Sequence, residues 1–147
     1  MNTSQLERIL QTDVMTSDMY RGVYAMDTLP ELQHGSYIIN TDDADEPGEH
    51  WLAVFNDNGD VEYFDSFGRA PWDERLKLFL GTEYKYNATP LQLLFSNACG
   101  FYCVYYILNR CRGYSMEEIM NILKRSDGDY VVKDYLYRLY KPVFYLG

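Results

Sequence analysis

The segment from Leu91 to Tyr106 limits the possible folds of this chain more than any other part of the sequence. It combines the end of a strand, a short polar turn and a long apolar run with helical character. Ser96 or Asn97 can cap that helix, because either side chain can accept a hydrogen bond from the free amides of a first helical turn. The segment therefore predicts a buried helix that begins directly after a polar turn.

Cys99 lies in the first turn of this predicted helix. Unpaired backbone N–H groups and the helix dipole favour negative charge there, so the thiol is biased toward the nucleophilic thiolate. Gly100 adds no side chain that could block approach, and Gln92 offers an amide donor seven residues upstream of Cys99. A nucleophile, a backbone N–H and a side-chain amide outline an oxyanion hole. Taken alone, however, Cys99 is better explained as a buried inert cysteine, since free cysteine is among the most buried residue types.

A predicted hairpin places a histidine near an aspartate. Residues 50–55 and 61–65 are predicted strands, and residues 56–59 form the turn between them. A four-residue loop would pair His50 with Asp65, whereas a two-residue turn would place Asp65 opposite Leu52 and diagonal to His50. Both registers put the histidine and the aspartate on one sheet face, because side chains alternate with period two. A nearby carboxylate fixes the tautomer of an imidazole and stabilises the imidazolium, although a surface His beside a strand-end Asp is also common.

The remaining segments predict a single α+β domain over residues 1–147, with a small mixed sheet packed against the central helix. Capping boxes open helices over about 4–12 and 115–124, and Pro71 and Gly81 delimit a helix over 71–80. Residues 13–35 are predicted to be mostly loop. The other predicted elements are a strand at 36–40, an extended segment at 84–94, the central helix at 97–111 and a final helix at 129–140, which Pro142 ends.

Composition limits the classes of function. The chain of 147 residues has 13 basic and 22 acidic residues, a net charge of −9 and three cysteines. No apolar run reaches the ~18 residues that span a membrane, and the N-terminus lacks the features of a signal peptide. We therefore predict an unsecreted protein, not bound to membranes, with free thiols and no strong affinity for DNA. No metal-ligand spacing is present, and we expect a monomer without a metal or cofactor.

Four motifs together resemble the adenovirus endopeptidase family, the adenain-like cysteine proteases, and more distantly the SUMO-deconjugating proteases. They are His50-Trp51, Tyr63 to Gly68, Gln92, and Ser96 to Cys103. The seven-residue spacing from Gln92 to Cys99 is also that of the family. Weaker similarity extends from residue 22 to residue 144, so the resemblance covers most of the chain.

This resemblance implies a cysteine-protease domain and a role for each of the four residues. Cys99 would be the nucleophile and His50 the general base, which then protonates the leaving amine. Asp65 would orient His50, and Gln92 would stabilise the oxyanion together with the Cys99 amide. Cys103 and Cys111 are predicted to be core residues and His34 an exposed bystander, and these three are not given a catalytic role.

The resemblance also implies substrates and a location. The expected activity is an endopeptidase that cleaves viral capsid or core precursors after small, Gly-rich motifs, in the virion and the interior of the host cell (nucleus or cytoplasm). One alternative is a protease that removes a ubiquitin-like modifier by the same chemistry. Another is a non-catalytic peptide-binding domain of the same fold, which the loss of Cys99, His50 or Gln92 would mark. All three residues are present.

The sequence departs from the adenoviral pattern at two points. Asp65 stands where the adenoviral enzymes carry glutamate, as in the SUMO-deconjugating branch, and the shorter side chain requires a closer approach to His50. The adenoviral enzymes are also activated by DNA and by a viral peptide that is disulfide-linked upstream of the catalytic glutamine. Residues 81–90 contain no cysteine and the chain is acidic, so we expect neither activator.

An acidic loop at 41–49 runs directly into His50. If it stays near the site, its field would raise the pKa of His50 and attract basic substrate segments. The alternative is a solvated loop whose charges serve solubility, since exposed charges are screened beyond roughly 8–10 Å.

Overall fold

The structure is a computed structural model that describes residues 1–45, 50–93, 96–125 and 127–145. For Tyr145 it describes the backbone alone. The helices are α1 (Thr3–Thr12), α2 (Glu74–Leu80), α3 (Cys99–Cys111), α4 (Met116–Lys124), α5 (Gly128–Leu139) and α6 (Lys141–Tyr145). The strands are β1 (Tyr20–Tyr24), β2 (Gly35–Asn40), β3 (Trp51–Asp57), β4 (Asp60–Phe64) and β5 (Lys85–Tyr86). The predicted α+β class is confirmed.

The five strands form one mixed sheet in the order β1-β2-β3-β4-β5. The two outer pairings, β1 with β2 and β4 with β5, are parallel, and the two inner pairings are antiparallel. Asp57 pairs with Asp60, which leaves Asn58 and Gly59 as a two-residue turn with φ values of 51° and 101°. Positive φ at both positions is typical of the tight hairpin turn that Asn-Gly favours. The structure therefore selects the register in which Asp65 is diagonal to His50.

Helix α3 lies at the centre of the larger of two apolar clusters. Its residues from Gly100 to Asn109 are buried, and they pack with Ala53 and Phe55 from one face of β3. Leu52 and Val54, on the other face of β3, belong to a second cluster that includes buried residues of α2. Because side chains alternate along β3, one face of the sheet packs against α3 and the other packs against α2. This arrangement confirms the prediction of a small mixed sheet against a central helix.

The start of α3 differs from the prediction. Ala98 is the N-cap residue and makes no side-chain cap, so capping of the first turn by Ser96 or Asn97 is wrong. Ser96 Oγ instead accepts a hydrogen bond from the Ala98 N–H at 3.1 Å, one step before the helix. No side-chain cap therefore occupies the first-turn amides, and the one at Gly100 helps to stabilise the thiolate form of Cys99.

Four further elements differ from the prediction. The capping box of α1 is formed by Asn2 and Gln5, two residues before the predicted one. Asp73 caps α2, so this helix begins at Glu74 rather than at the proline. Strand β1 lies within the predicted loop, where parallel pairing with β2 overrides weak local signals. The short helix α6 follows α5 and contains Pro142 in its first turn, where the missing N–H of proline is tolerated.

Other helix predictions are confirmed. The Ser115 to Glu118 capping box opens α4, which ends at Lys124 as expected. Gly81 follows the end of α2. The predicted extended segment at 84–94 contains only the two residues of β5 in regular structure, and its last residue lies outside the described ranges. Within those ranges, no helix is both long and apolar enough to cross a lipid bilayer.

Candidate active site

His50 and Asp65 are in direct contact at one end of the β3–β4 hairpin. His50 Nε2 lies 2.7 Å from Asp65 Oδ1, and the two side chains are 8% and 0% exposed. His50 immediately precedes β3, and Asp65 immediately follows β4. The two side chains are therefore in contact, as the alternation of side chains along the hairpin predicts.

The Asp65 carboxylate is held by donors on both oxygens. Oδ1 also accepts the Phe67 N–H at 2.9 Å, and Oδ2 accepts from Arg69 Nε at 3.1 Å. The Asn87 side chain also binds the Asp65 backbone: its amide oxygen accepts the Asp65 N–H, and its amide nitrogen donates to the Asp65 carbonyl. Burial acts to raise the pKa of Asp65, but the hydrogen bonds from His50 and the Phe67 amide outweigh it and lower that pKa. Asp65 is therefore a fixed anion that faces the imidazole.

Cys99 is the first residue of α3 and lines the same cleft as His50. Burial disfavours the thiolate, yet the His50 side chain and the backbone amides of Trp51 and Gly100 overcome this and lower the pKa of Cys99. Burial also disfavours the imidazolium, but hydrogen bonds to Asp65 and Cys99 raise the pKa of His50 above its ordinary value. The two shifts have opposite signs and favour a thiolate–imidazolium pair.

Gln92 is oriented by contacts at both ends of its amide. The Ser66 hydroxyl donates to Gln92 Oε1 at 2.5 Å, and Gln92 Nε2 donates to the Ser96 carbonyl at 2.7 Å. An amide nitrogen carries two N–H groups, so among the described residues one of them is left for a ligand. The Ser66 carbonyl also accepts the backbone N–H groups of Leu91 and Gln92, which ties this segment to the end of β4.

The four predicted site residues thus lie close together, three of them around one cleft. His50, Gln92 and Cys99 line a cleft of about 300 Å³, and Asp65 lies behind the histidine. Met1, Trp51, Phe67 and Gly100 also line the cleft. The Phe67 ring stacks on the His50 ring at 4.7 Å between centroids, which covers one face of the imidazole.

The turn after Asp65 supplies side chains that the sequence analysis did not single out. Ser66 orients Gln92, Phe67 covers His50, and Arg69 binds Asp65. Gly68 makes this turn feasible, because its φ is 71° and a Cβ there would lie 2.5 Å from the Thr89 backbone. In the sequence, Ser66 and Phe67 belong to the Tyr63–Gly68 motif, and Arg69 follows it directly.

The remaining candidates lie away from this chemistry. Cys103 is fully buried and its thiol donates to the Trp51 carbonyl at 3.2 Å, as expected of a core residue, whereas Cys111 is only partly buried. His34 is exposed and accepts the Asn58 N–H, as predicted for a residue outside the site. In the part of the chain that the structure describes, no cluster of three or more His, Cys, Asp or Glu residues could hold a metal ion.

The acidic loop is described only in part. Asp43 forms an ion pair with Arg75 at 2.8 Å, which offsets one of the loop charges. Glu46 and Glu49, which the electrostatic hypothesis also included, lie outside the described residues.

The site thus combines a thiol at the start of a helix, a histidine and a carboxylate at one end of a hairpin, and an oriented side-chain amide.

Comparison with known sequences finds similar viral proteins. A cysteine protease of a Malawi tick isolate of African swine fever virus is 31% identical in an alignment that covers 69% of this chain and 43% of that protein. A protein of a South African tick isolate, named SUMO-1 cysteine protease, shows the same identity and coverage.

A solved structure shares the fold. The crystal structure of the ASFV pS273R protease matches this chain with a TM-score of 0.55 and 19% identity, over 93% of this chain and 65% of that one. No family model matches the sequence. This chain spans less than half the length of the curated relatives it matches. The likeness therefore establishes a shared α+β fold and similarity to viral proteins named cysteine proteases.

Proposed function

We propose that this chain is a cysteine peptidase in which Cys99 is the nucleophile. The observation that carries the proposal is the position of His50, whose Nε2 contacts the buried Asp65 carboxylate at 2.7 Å and whose ring lines the same cleft as Cys99. A structural cysteine in an apolar helix needs neither partner and has a raised pKa, as Cys103 has. Cys99 has a lowered pKa and borders an open cleft.

The geometry supports a two-step hydrolysis. The Cys99 thiolate adds to the scissile carbonyl carbon, and the oxyanion accepts hydrogen bonds from the remaining Gln92 N–H and the Cys99 amide. His50 donates its proton to the leaving amine as the C–N bond breaks, which leaves a thioester on Cys99. His50 then takes a proton from water, the hydroxide displaces the thiolate, and the acid product leaves.

Two substrate classes follow from different observations. The resemblance to adenain-like proteases favours viral capsid or core precursors that are cut after small, Gly-rich motifs, inside infected cells or virions. The name of one relative, a SUMO-1 cysteine protease, favours removal of a ubiquitin-like modifier. Both substrates would present small residues to the cleft, which Trp51 and Gly100 also line.

One experiment tests the peptidase activity and separates the two substrate classes. Purified protein is incubated with a Gly-Gly-containing precursor-type peptide and with a SUMO-1 fusion that carries a folded protein after its Gly-Gly end. We expect Cys99→Ala to abolish cleavage while the circular dichroism spectrum is retained, because alanine suits a helix. Cys111→Ala, which changes a cysteine outside the cleft, should keep most of the activity.

The outcomes are distinct. Cleavage of the fusion alone would favour the deconjugating protease, and cleavage of the peptide alone would favour the precursor protease. Failure of both substrates, together with no rapid alkylation of Cys99 by iodoacetamide near neutral pH, would refute the peptidase proposal and favour a non-catalytic binding domain.

A further inference from the structure

A second pocket adjoins the candidate cleft on the side of Phe67. It has a volume of about 520 Å³ and is lined by Phe67, Arg69, Pro90 and Gln92. Phe67 and Gln92 also line the cleft, so the two cavities share a wall. The two cavities are therefore immediate neighbours, as two successive positions of a bound peptide would require.

Arg69 gives this pocket a fixed positive charge. Its Nε donates to Asp65 at 3.1 Å, and its guanidinium carbon lies 4.5 Å from the Trp72 ring centroid and 5.4 Å from that of Phe67. These contacts restrict the orientation of the guanidinium. Within the described ranges, its side chain hydrogen-bonds through Nε alone, which leaves the two terminal amino groups for another partner. The side chain is 51% exposed and thus accessible.

The charge of this pocket contrasts with that of the whole chain. The net charge is −9, so an acidic ligand is repelled by most of the surface and attracted by a fixed guanidinium. Arginine binds a carboxylate through two parallel N–H groups, which gives directional as well as electrostatic preference. The apolar ring of Phe67 and the Pro90 side chain can pack against the methylene groups of a glutamate.

We propose that the Phe67–Arg69–Pro90–Gln92 pocket is a substrate subsite that binds an acidic side chain just after the scissile bond. The assignment to the leaving-group side follows from His50, which must protonate the leaving amine and is covered by Phe67, a wall of this pocket. The inference rests on the proposed peptidase function and adds a charge preference to it.

The test uses pairs of peptides that the wild-type chain cleaves after Gly-Gly and that differ only by Glu or Gln. The substitution is placed at the first or second position after the scissile bond, and separately at the third position before it. We expect kcat/KM to be about three- to tenfold higher for Glu after the bond, the range of a partly exposed charge-assisted contact. Placement before the bond should give a ratio near one.

Variants of arginine assign the preference to the pocket. Arg69→Gln should bring the Glu/Gln ratio to about one and Arg69→Glu should bring it below one, even if the lost contact with Asp65 lowers both rates. Arg138→Gln removes the same charge from a side chain that is 78% exposed on α5 and should leave the ratio unchanged. A ratio near one in the wild type, a ratio that survives in Arg69→Gln, or a preference confined to residues before the bond would overturn the proposal.

A binding measurement keeps this result separate from that of the peptidase proposal. Cys99→Ala is titrated with fluorescent peptides that begin with Glu or Gln at a free N-terminus, as a leaving-group product does. We expect tighter binding of the Glu peptide by a similar factor, and equal affinities would overturn the subsite even if cleavage were observed. Tighter binding of the Glu peptide to Cys99→Ala, together with no cleavage by the wild-type chain, would retain the pocket but refute the peptidase.

Discussion

Substitution of Gly100 by alanine tests the contact that joins the nucleophile helix to the histidine strand. A Cβ built at Gly100 lies 2.6 Å from Trp51 Cε3 and 2.7 Å from Cζ3. Ordinary carbon contacts are about 3.5–4.0 Å, so the helix and the ring must separate by roughly 1 Å. Trp51 immediately follows His50, and Gly100 immediately follows Cys99. The separation would therefore also affect the distance between thiol and imidazole.

Two effects of opposite sign decide the stability of Gly100→Ala. Helix propensity favours alanine over glycine by up to about 1 kcal/mol. Overpacking of a filled site costs about 1–3 kcal/mol, and the rigid indole ring has little freedom to move away. We expect a net loss of up to about 2 kcal/mol, or a fall in Tm of several degrees. We also expect a decrease of about 10²-fold in kcat/KM, since a misplacement of 1 Å at reacting groups has that order of effect.

A double-mutant cycle identifies the cause. Urea unfolding and peptide cleavage are measured for the wild type, Gly100→Ala, Trp51→Leu and the double variant. In the Trp51→Leu background the clash is gone, so Gly100→Ala should be neutral or stabilising, and the two substitutions should not be additive. A rise in stability with intact activity in Gly100→Ala alone would refute the argument, as would a loss of the same size in both backgrounds.

Three further predictions concern the chemistry of the site. Gln92→Ala should lower kcat by about 10²–10³-fold with little change in KM. Ser66→Ala should lower kcat less, because Ser66 only orients the Gln92 amide. An unchanged kcat in Gln92→Ala would assign Gln92 a structural role. In Asp65→Asn the alkaline limb of the pH profile of kcat/KM should move to lower pH, because Asp65 raises the pKa of His50 and the imidazolium exists only below that pKa. An alkaline limb that stays at the same pH would contradict an effect of Asp65 on the pKa of His50. Double-stranded DNA should not stimulate cleavage at physiological salt, given the net charge of −9, and a large stimulation that high salt abolishes would refute this.

The parts of the site that could be predicted depend on rules of local geometry. His50 and Asp65 share a face in either hairpin register, so their proximity did not depend on the exact turn. Cys99 lies in the first helical turn as predicted, although the N-cap residue is Ala98 rather than Ser96 or Asn97. The contacts of Gln92 required more, since its partner Ser66 is 26 residues away and only the assembled fold brings them together. The spacing of residues along the sequence does not predict a contact between two residues so far apart in the chain.

Other features depended on tertiary pairing. Strand β1 pairs with β2 in parallel, with an irregular register between Tyr20 and Val23, and this leaves no alternation of apolar residues for a pattern to detect. The position of Arg69 depends on the left-handed backbone at Gly68, which returns the chain toward the Asp65 carboxylate. A turn was predicted there, but its side-chain directions follow from dihedral angles that the sequence does not specify.

The turn also explains why aspartate suits the orienting position in this chain. Asp65 Oδ1 accepts both from His50, at 2.7 Å, and from the amide of Phe67 two residues later, at 2.9 Å. The second bond is an Asx-type contact, which requires a carboxylate one methylene from the backbone.

A glutamate at position 65 would move the carboxylate oxygens by more than 1 Å, of the order of one C–C bond. It would have to give up the amide of Phe67 or displace the histidine. The shorter side chain is thus matched by a diagonal register and by a turn that binds its carboxylate, so a change of Asp65 to glutamate requires a different turn as well.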